Sequence, residues 1–248
     1  MKNDREAKGC RILLYHSIGE KEPADVFKLR VCAEDFFDQM KYLYDNKYKV
    51  FGLSEAVGLL HENVFPEKSI VITFDDGYRD NLTIAAPILK KFNFPAIIFV
   101  STEFLEPSEN RGAYWKNWRF LSKEDLSQLF DFNIEVGLHG KTHQHLTSLS
   151  SQEVEEEIDK AKIELERYAQ RQIKLFSYPH GAFNNNVIDI LKRSGFIAAC
   201  CSKMGRNYAA TDFYQLRRTE ITGDDSFFDF RKKLLGYYDK LNLSFFKK

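Results

Sequence analysis

The sequence has no surplus of charge of either sign: Lys plus Arg and Asp plus Glu number 36 each in 248 residues. Nucleic-acid binding normally shows as a basic excess or stripe, so nothing here points to DNA or RNA as a partner. Cysteine is scarce and unpatterned. Cys10, Cys32, Cys200 and Cys201 form no CxxC pair, which excludes a Cys₄-type structural metal site and fits buried free thiols in a reducing compartment. No run approaches the roughly 20 apolar residues of a membrane-spanning helix. The opening MKNDREAKG also lacks the apolar core of a signal peptide. A soluble, cytoplasmic protein is the expectation for the chain as it stands, secretion staying open only through a leader already removed. Internal repeats, low-complexity tracts and interdomain linkers are missing too.

What the sequence does have is alternation. Short β-rich apolar runs at 11–15, 48–51, 69–74, 96–100, 134–138, 174–178, 197–201 and 216–221 are separated by helical spacing over 33–46, 53–61, 81–92, 123–130, 151–170 and 185–194. Strands alternating with helices of this length predict a parallel sheet with crossover helices. Seven or eight such units predict an α/β fold closed on itself, a single-domain distorted (β/α)7–8 barrel over residues 1–248. Ser150-Ser151-Gln152-Glu153 signals a capped start to a long acidic helix. Its Glu156/Lys160 pair reads as a solvated outer face, to which no function is assigned. The apolar, aromatic segment at about 224–240 is expected to form a final helix on the barrel, with a contact between two copies of the chain as the alternative.

Two segments carry chemistry. In SIVITFDDGYRDN an apolar strand runs straight into Asp75-Asp76-Gly77. Catalytic groups of parallel barrels gather at the C-terminal ends of strands, and adjacent carboxylates there repel unless a cation or a proton divides their roles. Read alone, DDG is a turn signal with a helix cap; the preceding strand argues for a site. In NIEVGLHGKTHQHL a second strand-like run ends in His139, followed by His143 and His145, three of the six histidines. Two imidazoles and the Asp76 carboxylate would make a His₂Asp site with a position left for water, the catalytic pattern for zinc.

TFDDGY at 73–78, HGKTH at 139–143 and YPHG at 178–181 together resemble the first three motifs of the polysaccharide deacetylases (NodB homology, carbohydrate esterase family 4), over roughly residues 10–222. The resemblance implies metal-dependent N-deacetylation of an N-acetylated sugar, polymeric, lipid-linked or nucleotide-linked. It implies Asp75 as general base and Asp76, His139 and His143 as ligands of a divalent metal. Zinc fits that donor set best, with cobalt, nickel or iron as alternatives. It also implies that Tyr178, Pro179, His180 and Gly181 line the substrate and oxyanion site.

Two departures from the family pattern follow. No histidine comes after His180, so the late histidine that usually serves as acid is missing. His16, ending the first strand in RILLYHSI, matches instead the branch typified by the poly-N-acetylglucosamine deacetylases, and is the expected general acid. Ser177 stands where many members have an arginine that steadies the base; Arg218, or alternatively Arg217, is the expected substitute. His61 reads as structural. Tyr114, Trp115 and Trp118, in a rim loop, are candidates for stacking on sugar rings or for simple packing. Hydrolysis of a non-sugar amide or cyclic imide, and an inactive carbohydrate-binding protein, are the competing readings; the intact Asp75, Asp76, His139 and His143 argue against the last.

Overall fold

Alternating side chains decide which residues meet inside this molecule, because successive residues of a strand face opposite sides of a sheet. The computed structural model describes residues 9–22, 25–106 and 118–239; Tyr114 and Trp115 lie outside them. The elements run β1 (Cys10–Tyr15), β2 (Ser17–Gly19), β3 (Arg30–Cys32), α1 (Ala33–Asp45), β4 (Lys49–Phe51), α2 (Leu53–Glu62), β5 (Ser69–Phe74), α3 (Ala86–Phe92), β6 (Ala96–Val100), α4 (Leu126–Leu129) and β7 (Ile134–Leu138). They continue with α5 (Ser151–Glu155), α6 (Ala161–Ala169), β8 (Leu175–Ser177), α7 (Asn185–Arg193), β9 (Ala198–Cys200), β10 (Arg218–Glu220) and α8 (Phe227–Leu235).

Eight strands form one sheet in the order β10-β1-β5-β6-β7-β8-β9, with β4 also paired to β5. All of its pairings are parallel. β1 takes one edge of β5 along all six residues, so β4 against 69–71 and β6 against 73–74 share the other. The ring closes through Leu216, which leads into β10 and bridges Cys200 of β9. This is the expected distorted barrel. The two-stranded parallel pair β2–β3 was not foreseen, since three-residue strands leave no period to read.

The two faces of the strands build two cores. Leu13, Tyr15, Ile70, Ile72, Ile98, Val136 and Leu138 face outward under the helices. Cys10, Ile12, Val71, Ile97, Phe99, Leu175, Ala198, Cys200 and Leu216 fill the interior together with Leu53, Ala56, Val57 and Leu60 of α2. α2 therefore plugs one end of the barrel, and its start is tied to β7 by Ser54 donating to the Glu135 carboxyl. The opposite end, at the C-terminal edge of the strands, is left for chemistry. The final helix packs against α1: Phe230 and Leu234 are buried, and Tyr42 meets Phe227 and Phe230 edge-on. All four cysteines are free thiols. Among the described residues no helix is long and apolar enough to cross a membrane.

Gly137 of β7 faces the interior where the Phe99 ring lies; a Cβ there would come within 2.4 Å of that ring and 3.1 Å of the Leu175 carbonyl. Overpacking of this kind costs about 1–3 kcal/mol. Gly137→Ala is therefore expected to lower stability by that amount in urea denaturation, and an unchanged midpoint would contradict the packing described.

Candidate active site

The inward face of each strand ends in a polar residue. Val71 and Thr73 lead to Asp75, Glu135 and Gly137 to His139, Leu175 to Ser177, Leu216 to Arg218, and Ile12 and Leu14 to His16. One register thus delivers apolar side chains to the middle of the barrel and polar ones to its mouth. The Asp75 amide donates to the Tyr15 carbonyl and that of His139 to Val100, which continues the ladders past the strand ends.

Asp75 and Arg218 form a buried, two-pronged ion pair, Nη1 to Oδ1 at 2.8 Å and Nη2 to Oδ2 at 2.7 Å. Nη2 also reaches Ser177 Oγ at 2.9 Å, and that hydroxyl donates to Asp75 Oδ2 at 3.1 Å. The Arg218 Nε–H donates to the Cys201 carbonyl, so the guanidinium is fixed on three sides. Burial is the largest influence on Asp75 and pushes its carboxyl up, but the Arg218 and His139 charges together outweigh it and hold it below its ordinary value. For Arg218 burial likewise acts first and downward, and Asp75 more than reverses it. Arg217, the alternative partner, is exposed and has its Cδ near Gly205.

Asp76, His139 and His143 present ligand atoms within 4.8 Å of one another. Oδ1 of Asp76 lies 3.4 Å from Nε2 of His139 and 3.2 Å from Nε2 of His143, yet it is buried and accepts no hydrogen bond of acceptable geometry. Burial pushes the Asp76 carboxyl up, and the nearby His143, His139 and His16 hold it well below the usual carboxylate range all the same. His139 loses by burial and gains more from Asp75 and Asp76, so its ring sits above its ordinary value. The Ser177 carbonyl, 2.8 Å from His139 Nδ1, accepts only, which makes Nδ1 the donor and turns Nε2 toward Asp76. A bare anionic oxygen facing two imidazole nitrogens, one oriented from behind by a carbonyl, fits a divalent cation.

The backbone is strained at this point. Asp76, His143 and His180 have φ of 71, 61 and 57°, a region that non-glycine residues seldom occupy. Asn63, Asn93, Asn133 and Gln170 adopt it as ordinary helix C-caps, whereas the three site residues cap no helix. Such strain persists where surrounding contacts over-determine it.

His16 directly follows β1, with its side chain 13% exposed and its Nδ1 3.9 Å from Glu220 Oε1 of β10. Glu220 carried no sequence signal beyond its register: it pairs across from Leu14 and shares the inward parity of Arg218. The third motif divides. Tyr178 turns into the core, fully buried, and donates to the Tyr214 carbonyl, so its side chain does not line the mouth. His180 is exposed, stacks on His145 with ring centroids 3.8 Å apart, and donates from Nε2 to the His143 carbonyl. Burial, then His143 and His145, lower its pKa to about 4. Gly181 is essential in its turn: at φ 67° a Cβ would strike Ser202 Oγ at 2.4 Å. His61 lies exposed on α2 beside Phe213, apart from this cluster. Trp118 lies under the Arg30 guanidinium at 4.4 Å and meets the Tyr78 ring at a tilt.

Arg218→Met would leave Asp75 buried without its main counter-charge, and breaking a buried pair in this way typically costs about 3–5 kcal/mol. With Arg218 gone, burial raises the Asp75 carboxyl, and a raised folded-state value favours the protonated fold. The loss is therefore expected to be greatest at neutral pH and to shrink as pH falls toward 4. Denaturant titrations of wild type and variant at pH 4 and pH 7 measure it; a pH-independent difference would contradict the pairing.

A family model described as "Polysaccharide deacetylase" matches residues 62–199. The chain is 28% identical over 223 residues to YxkH of Bacillus subtilis, covering 90% of this chain and 74% of that protein. It is 26% identical to the poly-beta-1,6-N-acetyl-D-glucosamine N-deacetylase of Staphylococcus epidermidis, covering 88% and 81%. In fold it is similar to the Streptococcus pyogenes deacetylase PplD solved with acetate, with a TM-score of 0.81, 23% identity and coverage of 91% and 98% of the two chains. IcaB from Ammonifex degensii is comparably similar, with a TM-score of 0.79, 21% identity and coverage of 92% and 96%. With its three motifs converging on one end of the barrel, the chain belongs to the polysaccharide deacetylase family.

Proposed function

We propose that the protein removes the acetyl group from an N-acetylated amino sugar of a glycan by metal-assisted hydrolysis. The observation that carries this reading is the His₂Asp cluster lying beside an arginine-held aspartate on the inner face of the barrel mouth. Asp76, His139 and His143 would hold the ion, with zinc the best match to the donors. Such an ion acidifies water and polarises an acetyl carbonyl.

The rest of the chemistry falls to the side chains. Asp75, kept ionised by Arg218, takes a proton from the attacking water as the new C–O bond forms. Nδ1 of His16 is buried facing Glu220, so Nε2 is the nitrogen left to protonate the departing amine as the C–N bond breaks. The oxyanion needs a donor, and the third motif offers one by elimination. The amides of Tyr178 and Gly181 are taken by the carbonyls of Cys200 and Tyr178, and Pro179 has none. The His180 amide remains, in a turn that its left-handed backbone holds open. Acetate and a free amino sugar are the products.

The named activity of the staphylococcal relative makes β-1,6-linked poly-N-acetylglucosamine the first substrate to try. Acetate release should be measured across N-acetylated glycans and oligosaccharides with zinc, cobalt, nickel and iron in turn. Metal-dependent release is expected, with kcat lowered about 10²–10⁴-fold in Asp75→Asn and in His16→Ala. Release unaffected by chelation, or undiminished in Asp75→Asn, would sink the assignment.

A further inference from the structure

The acidic helix that reads from its sequence as a plain solvated face carries one charged residue that does not face solvent. Val154, Ile158, Ala161 and Leu165 form its buried stripe, and Glu157 falls on that stripe at 9% exposure. The helix passes through a π turn at Glu156–Lys160 between α5 and α6. Such turns are rare and often lie at functional positions.

The Glu157 carboxyl group meets the segment between the two histidines of the proposed metal site. Oε2 accepts from the amides of Lys141 at 3.1 Å and Thr142 at 3.0 Å, and Oε1 accepts from the Thr142 hydroxyl at 2.9 Å. Three successive carbonyls at the start of this loop are satisfied by the neighbouring strand end. Thr102 and Glu103 donate to the carbonyls of Gly140 and Lys141, and Ser101 Oγ donates to that of His139. Buried or half-buried amides need acceptors, and Glu157 supplies two at once from a single side chain. Between them lies a loop that must turn through φ 76° at Gly140 and 61° at His143 to bring two imidazoles together.

We infer that Glu157 is a positioning residue for the metal: it fixes the 140–143 loop in the strained form that aims His143 at the ion held by His139 and Asp76. It touches neither substrate nor ion, and it acts from outside the three ligands. This inference rests on the metal-site reading above, and its test separates the two.

Zinc dissociation constants are measured by competition with a chromophoric chelator, alongside thermal unfolding of the metal-free proteins. Removing an outer partner of a metal ligand typically costs about 10–100-fold in affinity; that loss is expected for Glu157→Ala. Glu157→Gln, nearly isosteric and still able to accept from one side, is expected to lose less, and serves where the alanine variant folds poorly. Glu166→Ala is the control. Glu166 stands further along the same helix and accepts the Ile173 amide at 2.9 Å, so its loss is expected to lower thermal stability and leave zinc affinity within twofold. Glu157→Ala within twofold of wild type would overturn the inference, as would equal losses in Glu157→Ala and Glu166→Ala. Wild type that binds no zinc, cobalt, nickel or iron would instead overturn the metal-site reading.

Discussion

The buried pair of Asp75 and Arg218 is the interaction on which the rest of the site depends. Neither charge tolerates the barrel interior alone, since an uncompensated buried ion costs several kcal/mol. Their two-pronged contact ties β5 to β10, strands that do not touch each other but flank β1. Ser177 joins the same pair by its hydroxyl, and its carbonyl orients His139. The proposed base, its counter-charge and one proposed metal ligand are thus held by one short chain of contacts crossing the barrel, and shifting any member disturbs the others.

A division of labour between two adjacent carboxylates follows from this. Asp75 is saturated with donors, Arg218 and Ser177, whereas Oδ1 of Asp76 has none. The difference arises from the backbone. Asp75 continues the inward alternation of β5, while Asp76 turns through φ 71° and leaves the strand register to face the two imidazoles. Two residues of the same type, side by side in sequence, enter different electrostatic surroundings and so suit different tasks.

The barrel was legible in the sequence because its strands and helices have clear periods: all eight short apolar runs became strands within a residue or two of their expected ends. The same holds for the cap at Ser150, whose hydroxyl and Glu153 form the reciprocal pair anticipated. Asp75, Asp76, His139 and His143 stood out because charged or imidazole groups followed apolar runs directly. β2–β3 was too short to show a period. The turn of Tyr178 away from the mouth, into the core under the helices, depends on the strand's register rather than on its motif. Glu157 was hidden among acidic neighbours, and its one signal was position: it lies three residues after Val154 and four before Ala161, on the apolar stripe of a helix otherwise covered in charge. Glu220 and Ser177 contribute through register alone, which no single segment of sequence displays.

The closure of the barrel at Leu216 has a consequence for how the protein responds to heat. The last seam is a single bridge between Leu216 and Cys200, and Arg218 lies only two residues beyond it. The β7–β8 seam is as narrow, Leu138 against Phe176, whereas β1 and β5 pair along six residues. On warming, a ladder this narrow depends on its side chains, and the Arg218 Nε–H spans the seam by donating to the Cys201 carbonyl. The guanidinium that neutralises Asp75 thus also clasps the junction where the barrel closes, while Arg218 stays paired to Ile12 of β1 on its other side.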